Sequence, residues 1–314
     1  MRVISEETLT NCLDRTLLVE ALRKGFKEGA EVPQRHHHTV QRDDDDATLL
    51  LMPAWSKNGQ IGIKMVTVFP SNAGKSLPSI YGIYTLLDGE TGMPLALMDG
   101  RLLTLFRTAA SSVLAATYLA KHNASKLLMV GTGALAPHII ATYVEVLGIK
   151  EVKIWGRSIK KSTALSEGLS LAEVSIQPTT SLAEASKWAD IISCATLSKT
   201  PLIMGKWLSP GTFVDLIGAY TPEMREADND VIQRASIFVD TRTGALTEAG
   251  DIMIPIQQGL ISDEDIQGDL FDLTRGRHKG RQSDNEITLF KSSGYALEDL
   301  VAAQLVYQCV MNSQ

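Results

Sequence analysis

Residues Leu127 to Arg157 read LLMVGTGALAPHIIATYVEVLGIKEVKIWGR. An apolar run, Leu127 to Val130, stops at Gly131-Thr132-Gly133. A helical pattern follows, and then a second apolar strand from Val152 to Trp155. Strand, tight glycine turn, helix and strand form the unit that seats a pyrophosphate on a helix N-terminus. The glycine match is GxGxxA, with Ala136 in the third slot. A bare match of this kind says little, but the correct flanking elements give it weight. Gly131, Gly133, Ala134 and Leu135 are therefore candidate cofactor contacts.

The tip of the second strand speaks to which dinucleotide binds. NAD sites usually place Asp or Glu there, to accept hydrogen bonds from the ribose hydroxyls. Here the chain reads Trp155-Gly156-Arg157-Ser158, followed by Lys160 and Lys161. A guanidinium, a hydroxyl and nearby ammonium groups suit a 2′-phosphate. Arg157 and Ser158 thus favour NADPH, with NADH as the alternative.

Bulk properties bound the function. The chain has 314 residues, enough for two domains. A net charge of −6 speaks against nucleic-acid binding. No apolar run approaches the ~20 residues expected of a membrane span, and the N-terminus has acids early and no long apolar segment, unlike a signal peptide. Cys12, Cys194 and Cys309 lie far apart and form no CxxC. That spacing predicts no disulfide framework, no zinc site and a reducing, cytoplasmic location.

The pattern changes along the chain. Leu9, Leu13, Leu17, Leu18, Leu22 and Phe26 recur at helical spacing and predict one helix over about 6–28. Short strands are expected at Thr48–Met52, Ile61–Phe69, Ile80–Asp88 and Pro94–Met98, with a hairpin turn at Asp88-Gly89 and Gly92. An Ala-rich helix is expected from about Leu103 to His122. After it, helices and strands alternate: a helix over Ser181–Lys187, strands at Asp190–Ala195, Thr212–Ile217 and Ile237–Asp240, and a closing helix over Leu300–Val310. Such alternation indicates a parallel sheet covered on both faces. The expected class is α/β: a Rossmann-like doubly wound parallel sheet plus a discontinuous α+β substrate and dimerisation domain. Residues 1–120 with about 295–314 would form the latter, and 121–294 the dinucleotide-binding domain.

Three signatures lie outside the glycine turn. Arg107-Thr108-Ala109-Ala110 opens the Ala-rich helix. GTGALA follows, and then Thr288-Leu289-Phe290-Lys291-Ser292-Ser293-Gly294-Tyr295-Ala296-Leu297-Glu298-Asp299. Together they resemble the ornithine cyclodeaminase/mu-crystallin family, over about Pro33 to Val306. The resemblance implies a homodimer built through the β-rich domain and a nicotinamide cofactor bound in a cleft. It also implies cofactor contacts from Ser79, Arg107, Thr108, Thr196 and Ser292. An arginine after a proline (Pro33-Gln34-Arg35), a lysine in a Gly-x-Lys strand (Gly62-Ile63-Lys64) and Arg107 match the family's substrate residues.

Each of the three has a physical role available. Two guanidinium groups and an ammonium can hold the carboxylate of a small imino or amino acid by charge-assisted hydrogen bonds. Lys64 stands in an otherwise apolar strand (Ile61, Ile63, Met65, Val66, Val68), where an unpaired cation is costly. It is the candidate catalytic residue, able to move a proton if burial or cationic neighbours depress its pKa. Arg107, read as the start of a helix, can face anions together with that helix's first amides.

One position departs from the cyclodeaminases, which carry an aspartate after a Gly-Gly pair. Here the segment is Gly218-Ala219-Tyr220-Thr221-Pro222-Glu223-Met224-Arg225-Glu226, and Tyr220 takes the aspartate's place. The pattern resembles the branch that reduces cyclic imino acids. The expected reaction is NADPH-dependent reduction of Δ1-pyrroline-2-carboxylate, or its six-membered homologue, with Tyr220 among the substrate-binding residues. Cyclodeamination, alanine dehydrogenase or ketimine reductase chemistry, opine-type reductive amination and non-enzymatic ligand binding are the alternatives. His36-His37-His38 cannot all face one side of a strand, so no metal is expected. The run Asp43–Asp46 lacks the alternate spacing of a calcium loop and reads as a solvated turn. Asp99 and Asp215 stand near strand ends as candidate acids.

Overall fold

The computed structural model describes residues 1–43, 45–75 and 77–312. Asp44, within the acidic run, lies outside them; Asp43, Asp45 and Asp46 are exposed. The chain divides into two compact units, Met1–Arg107 with the chain from Ala296 on, and Thr108–Tyr295.

The first unit holds a six-stranded sheet. Its strands are β1 (Arg2–Val3), β2 (His36–Val40), β3 (Ala47–Trp55), β4 (Ile61–Val68), β5 (Ile80–Leu87) and β6 (Pro94–Asp99). Their order is β1-β6-β5-β4-β3-β2, antiparallel except for the β1–β6 pair. Alternation along β4 buries Gly62 and Lys64 on one face, against the C-terminal helix Ala296–Asn312. The opposite face leaves Met65, Tyr81 and Ile83 exposed. The turn between β5 and β6 closes at Asp88, whose carbonyl accepts from Gly92 N at 2.9 Å, with Gly92 at φ 73°.

The single helix expected over 6–28 is two, Glu6–Cys12 and Arg15–Glu28. Asp14 interrupts it because its carboxylate accepts from Leu17 N at 2.8 Å, so the residue serves as an N-cap instead of a helical turn. Strand β2, with its three exposed histidines, carried no hydrophobic signal and was not foreseen. The expectation of no disulfide is also overturned: Cys12 and Cys309 are bonded, with their Cα atoms 5.7 Å apart. Distance along the sequence misled, because the first helix packs on the last.

The second unit is an all-parallel sheet of eight strands: β7 (Lys126–Val130), β8 (Glu151–Trp155), β9 (Ser175–Thr179), β10 (Ile191–Cys194), β11 (Phe213–Leu216), β12 (Ala235–Val239), β13 (Ile266–Asp269) and β14 (Ile287–Lys291). The order is β13-β12-β14-β11-β10-β7-β8-β9. The chain winds outward from β7 through β8 to β9, then reverses at β10, which makes the β7–β10 gap a topological switch point. Leu127 to Val130 are all fully buried, as a sheet covered on both faces requires.

The helix Gly100–Leu119 starts directly from β6, where Asp99 Oδ1 accepts from Leu102 N at 2.5 Å. Arg107 therefore lies well inside the helix and does not begin it, which corrects the expectation that its neighbouring amides are free for anions. This helix also corrects the reading of apolar runs, being long and apolar enough to cross a membrane; 72% of its most apolar window is nonetheless buried within the protein.

Candidate active site

The first unit concentrates four charges beneath its sheet. Lys64 is 2% exposed, and Arg107, Glu298 and Asp299 are buried as well. Lys64 Nζ lies 2.7 Å from Asp299 Oδ2 and donates to Thr104 Oγ1 at 3.3 Å. Arg107 spans both acids: Nε donates to Asp299 Oδ1 at 3.0 Å, and Nη1 to Glu298 Oε2 at 2.6 Å. β4, the Gly100–Leu119 helix and the first turn of the C-terminal helix each supply part of the cluster. Buried charges of this kind persist only when paired and hydrogen-bonded.

The electrostatics are asymmetric. Burial pulls Lys64 down to about 8, with Arg107 and Arg35 pushing the same way and Asp299 opposing. Arg35 is half-buried and close enough to act on Lys64, so all three cations picked from the sequence share one field. Burial works against the Arg107 charge, but Asp299 and Glu298 outweigh it and raise its pKa. The same two cations overcome burial at Asp299 and hold its carboxyl below the usual range. Lys64 is thus positioned to give up a proton near neutral pH.

Gly62 explains the Gly-x-Lys pattern. A Cβ there would lie 1.8 Å from the hydroxyl of Tyr84, which stands opposite Lys64 on β5. Tyr84 is 1% exposed, its hydroxyl has no hydrogen-bond partner among the described residues, and burial raises its pKa, with Asp299 adding to the effect.

In the second unit, the chosen residues gather at the carboxyl ends of five adjacent strands. Gly131, Gly133, Ala134 and Leu135 follow β7; Arg157 and Ser158 follow β8; Thr196 follows β10; Tyr220 follows β11; Ser292 follows β14. That edge is where open α/β sheets bind their ligands. Gly131 has φ 122°, and a Cβ on it would lie 2.5 Å from Ala195 O. Gly133 has nothing within 4 Å of an added Cβ, so its face is open to an approaching group. The helix Ala136–Leu147 has no side-chain cap, but Ala136 N donates to Gly133 O at 3.0 Å and Pro137 has no N–H, so a phosphate would be met by the glycine-turn amides ahead of the helix. Arg157 is exposed, and Ser158 heads the helix Ile159–Gly168 without a side-chain capping bond. These features fit a dinucleotide.

Other predicted residues stand apart. Ser79 and Arg107 belong to the first unit, Ser79 half-buried beside Phe69, whose amide its carbonyl accepts at 2.7 Å. Thr108 is buried at the start of the second unit. Ser292 donates to Asp240 Oδ2 at 3.3 Å, and Asp240 also accepts from the amides of Ser293 and Gly294 at 2.6 Å each. Asp99 caps a helix. Asp215 is an interior acid, accepting from Ser112, Tyr143 and Ser193, and burial pushes it up to about 6. His36 and His38 stack edge to face at 6.1 Å on an exposed strand. Among the described residues, no three His, Cys, Asp or Glu groups are arranged to hold a metal.

Sequence reasoning assigned no role to Glu298, Asp299, Glu226 or Lys291, although all four lie inside quoted motifs. The available signal was a charge in an apolar context: Lys291 closes the strand ITLFK, and Glu298-Asp299 open an apolar helix.

A doubly wound parallel sheet with a glycine turn at its switch point defines a Rossmann-type dinucleotide-binding protein. The chain belongs to the ornithine cyclodeaminase/mu-crystallin family, whose profile matches residues 2–314. It is 43% identical to Protein SAR DEFICIENT 4 of Arabidopsis thaliana, over 84% of each chain. It is 40% identical to a Δ1-pyrroline-2-carboxylate reductase of Paracoccus denitrificans, over 92% of this chain and 90% of that one. The solved Δ1-pyrroline-2-carboxylate reductase of Thermococcus litoralis, in complex with NADH and L-proline, matches with a TM-score of 0.93 at 30% identity, covering 100% of this chain and 98% of that one.

Proposed function

We propose that this protein is a nicotinamide-dependent imine reductase that converts Δ1-pyrroline-2-carboxylate to L-proline. The observation that carries this reading is the buried set Lys64–Asp299–Arg107–Glu298, with Arg35 in its field. Such a set suits an anionic substrate that also needs a proton.

Arg35, Lys64 and Arg107 bind the substrate carboxylate, and Asp299 and Glu298 fix the direction of the two buried cations. Lys64, depressed to about 8, exchanges a proton with the imine nitrogen and keeps it cationic for reduction. The dinucleotide is held by Gly131 to Leu135, with Thr196 and Ser292 as further contacts. When bound, it supplies the hydride that reduces imine C2. Arg157 and Ser158 at the tip of β8 favour NADPH over NADH. Tyr220, 41% exposed, replaces the aspartate expected of a cyclodeaminase, which supports imine reduction over amine expulsion. The protein's contribution is position and field, which can supply much of the rate enhancement.

The exposed Met65, Tyr81 and Ile83 form one apolar face of the first unit's sheet, and this face is the surface on which two copies pair. The activity is tested by offering the enzyme pyrroline-2-carboxylate, ornithine, and pyruvate with ammonia, each with NADPH or NADH. Proline from the first substrate alone supports the reading; ammonia from ornithine would replace it with cyclodeamination.

A further inference from the structure

Beneath the cofactor edge of the second unit lies a charged cluster that neither hydride transfer nor carboxylate binding calls for. Glu226, Asp251 and Lys291 are each fully buried. Glu226 arrives at the end of the loop that carries Tyr220, and its carboxylate turns back under two strand ends. Oε1 accepts from Thr196 N at 2.7 Å and from Thr196 Oγ1 at 2.8 Å; Oε2 accepts from Gly218 N at 2.7 Å. Thr196 follows β10 and Gly218 follows β11, so one side chain joins the second residues past two neighbouring strands. The two segments already touch, since a Cβ on Gly218 would lie 1.9 Å from Thr196 O. Ile217 N also donates to Cys194 O at 2.8 Å, and the carboxylate extends that link one residue beyond the last ladder bond.

The rest of the cluster holds Glu226 in place. Asp251 Oδ1 accepts from Glu226 N at 2.8 Å and from Ala227 N at 3.1 Å, which fixes the backbone where the acid enters. Lys291, at the end of β14, donates to Leu216 O at 3.3 Å and lies 3.6 Å from Asp251 Oδ2. It provides the positive charge that makes two buried carboxylates tolerable.

We propose that Glu226 is a positioning residue for the reductase reaction: by pinning Thr196 and Gly218 together, it fixes the ledge on which the nicotinamide end of the cofactor rests. This rests on the imine-reductase reading given above. Charge-assisted hydrogen bonds from two amides and a hydroxyl make a stiffer link than neutral ones, and small misplacements of a hydride donor are costly in rate. The groups facing Glu226 are Lys291, which favours its ionised form, and Asp251, which opposes it, with Thr196 and the Cys194 thiol beside it. Burial, moderated by Lys291, pushes the carboxyl up to about 7, so protonation near neutrality weakens the link.

Glu226→Gln keeps the shape but presents an amide N–H to one of the donors. In that variant kcat should fall at least about tenfold while the imino-acid KM stays within about twofold, the split expected of misplaced reactants. The wild-type loss of kcat below about pH 7 should be absent from the variant's profile. Should the variant not fold by circular dichroism, Glu226→Asp is read instead; it keeps the charge opposite Lys291 but draws the oxygens back from one strand, and the same kcat loss is expected. Wild-type kcat and pH profile in a folded variant would overturn the proposal while leaving the reductase reading intact. Wild-type enzyme that shows no NADH or NADPH fluorescence change on titration would overturn both.

Discussion

Lys64 and Asp299 form a 2.7 Å ion pair between an interior strand and the start of the last helix, both fully enclosed. The pair ties the C-terminal helix to the proposed substrate-binding cations, because Asp299 also receives Arg107 at 3.0 Å. One carboxylate therefore orients two candidate substrate-binding cations.

Replacing the lysine separates its role from that of the dinucleotide site. Lys64→Ala should abolish imine reduction, a loss of several kcal/mol of transition-state stabilisation. Cofactor affinity, measured by fluorescence titration, should stay near wild type, because the glycine turn lies in the other unit. Retained turnover would remove Lys64 from the site.

The depressed lysine predicts an alkaline limb. Its pKa of about 8 means that the ammonium is lost as pH rises through that value, so kcat/KM should fall above it. Arg35 contributes to the depression, so Arg35→Met should shift the limb to higher pH. A limb that stays in place or moves lower would show that Lys64 does not govern it.

Gly62 predicts a packing effect on stability. Gly62→Ala drives a methyl onto the Tyr84 hydroxyl and should cost about 1–3 kcal/mol by denaturant titration. Tyr84→Phe removes a buried hydroxyl that has no partner among the described residues, so its cost should be below about 1 kcal/mol. A larger loss in Tyr84→Phe would reveal an interaction made by that hydroxyl.

Arg157 is exposed and can be removed without disturbing the core. Arg157→Ala should raise the NADPH KM about tenfold, the worth of one charge-assisted bond to phosphate, and leave the NADH KM unchanged. Equal effects on both cofactors, or a wild-type enzyme that strongly favours NADH, would contradict the reading of β8's tip.

Ile83, 49% exposed on the open sheet face, tests the pairing of two copies. Ile83→Asp places a charge at the centre of that face and should convert a dimer to a monomer in analytical ultracentrifugation. A wild-type monomer would refute the assignment of that face.

What could be read in advance followed local pattern. The glycine turn between two apolar strands, the alternation of β4 and the Ala-rich helix are written in near-neighbour periodicity, and the corresponding elements form within a few residues of the expected limits. Lys64 stood out as a cation in an apolar strand, and Arg35 and Arg107 were picked only through a family resemblance. Their partners were not, because Glu298 and Asp299 reach Lys64 and Arg107 only once the C-terminal helix lies on the first sheet. The Cys12–Cys309 bond stayed hidden for the same reason: it depends on the packing of the first helix against the last. The role of Glu226 depends on the adjacency of β10 and β11, which no local pattern encodes.

The most direct test of the central claim is a steady-state assay of NADPH oxidation with Δ1-pyrroline-2-carboxylate, with the product identified by chiral chromatography. The account predicts one L-proline formed for each cofactor oxidised, and none with Lys64→Ala. Absence of turnover with NADPH and NADH alike, or ammonia release from ornithine in place of proline formation from the imine, would contradict it.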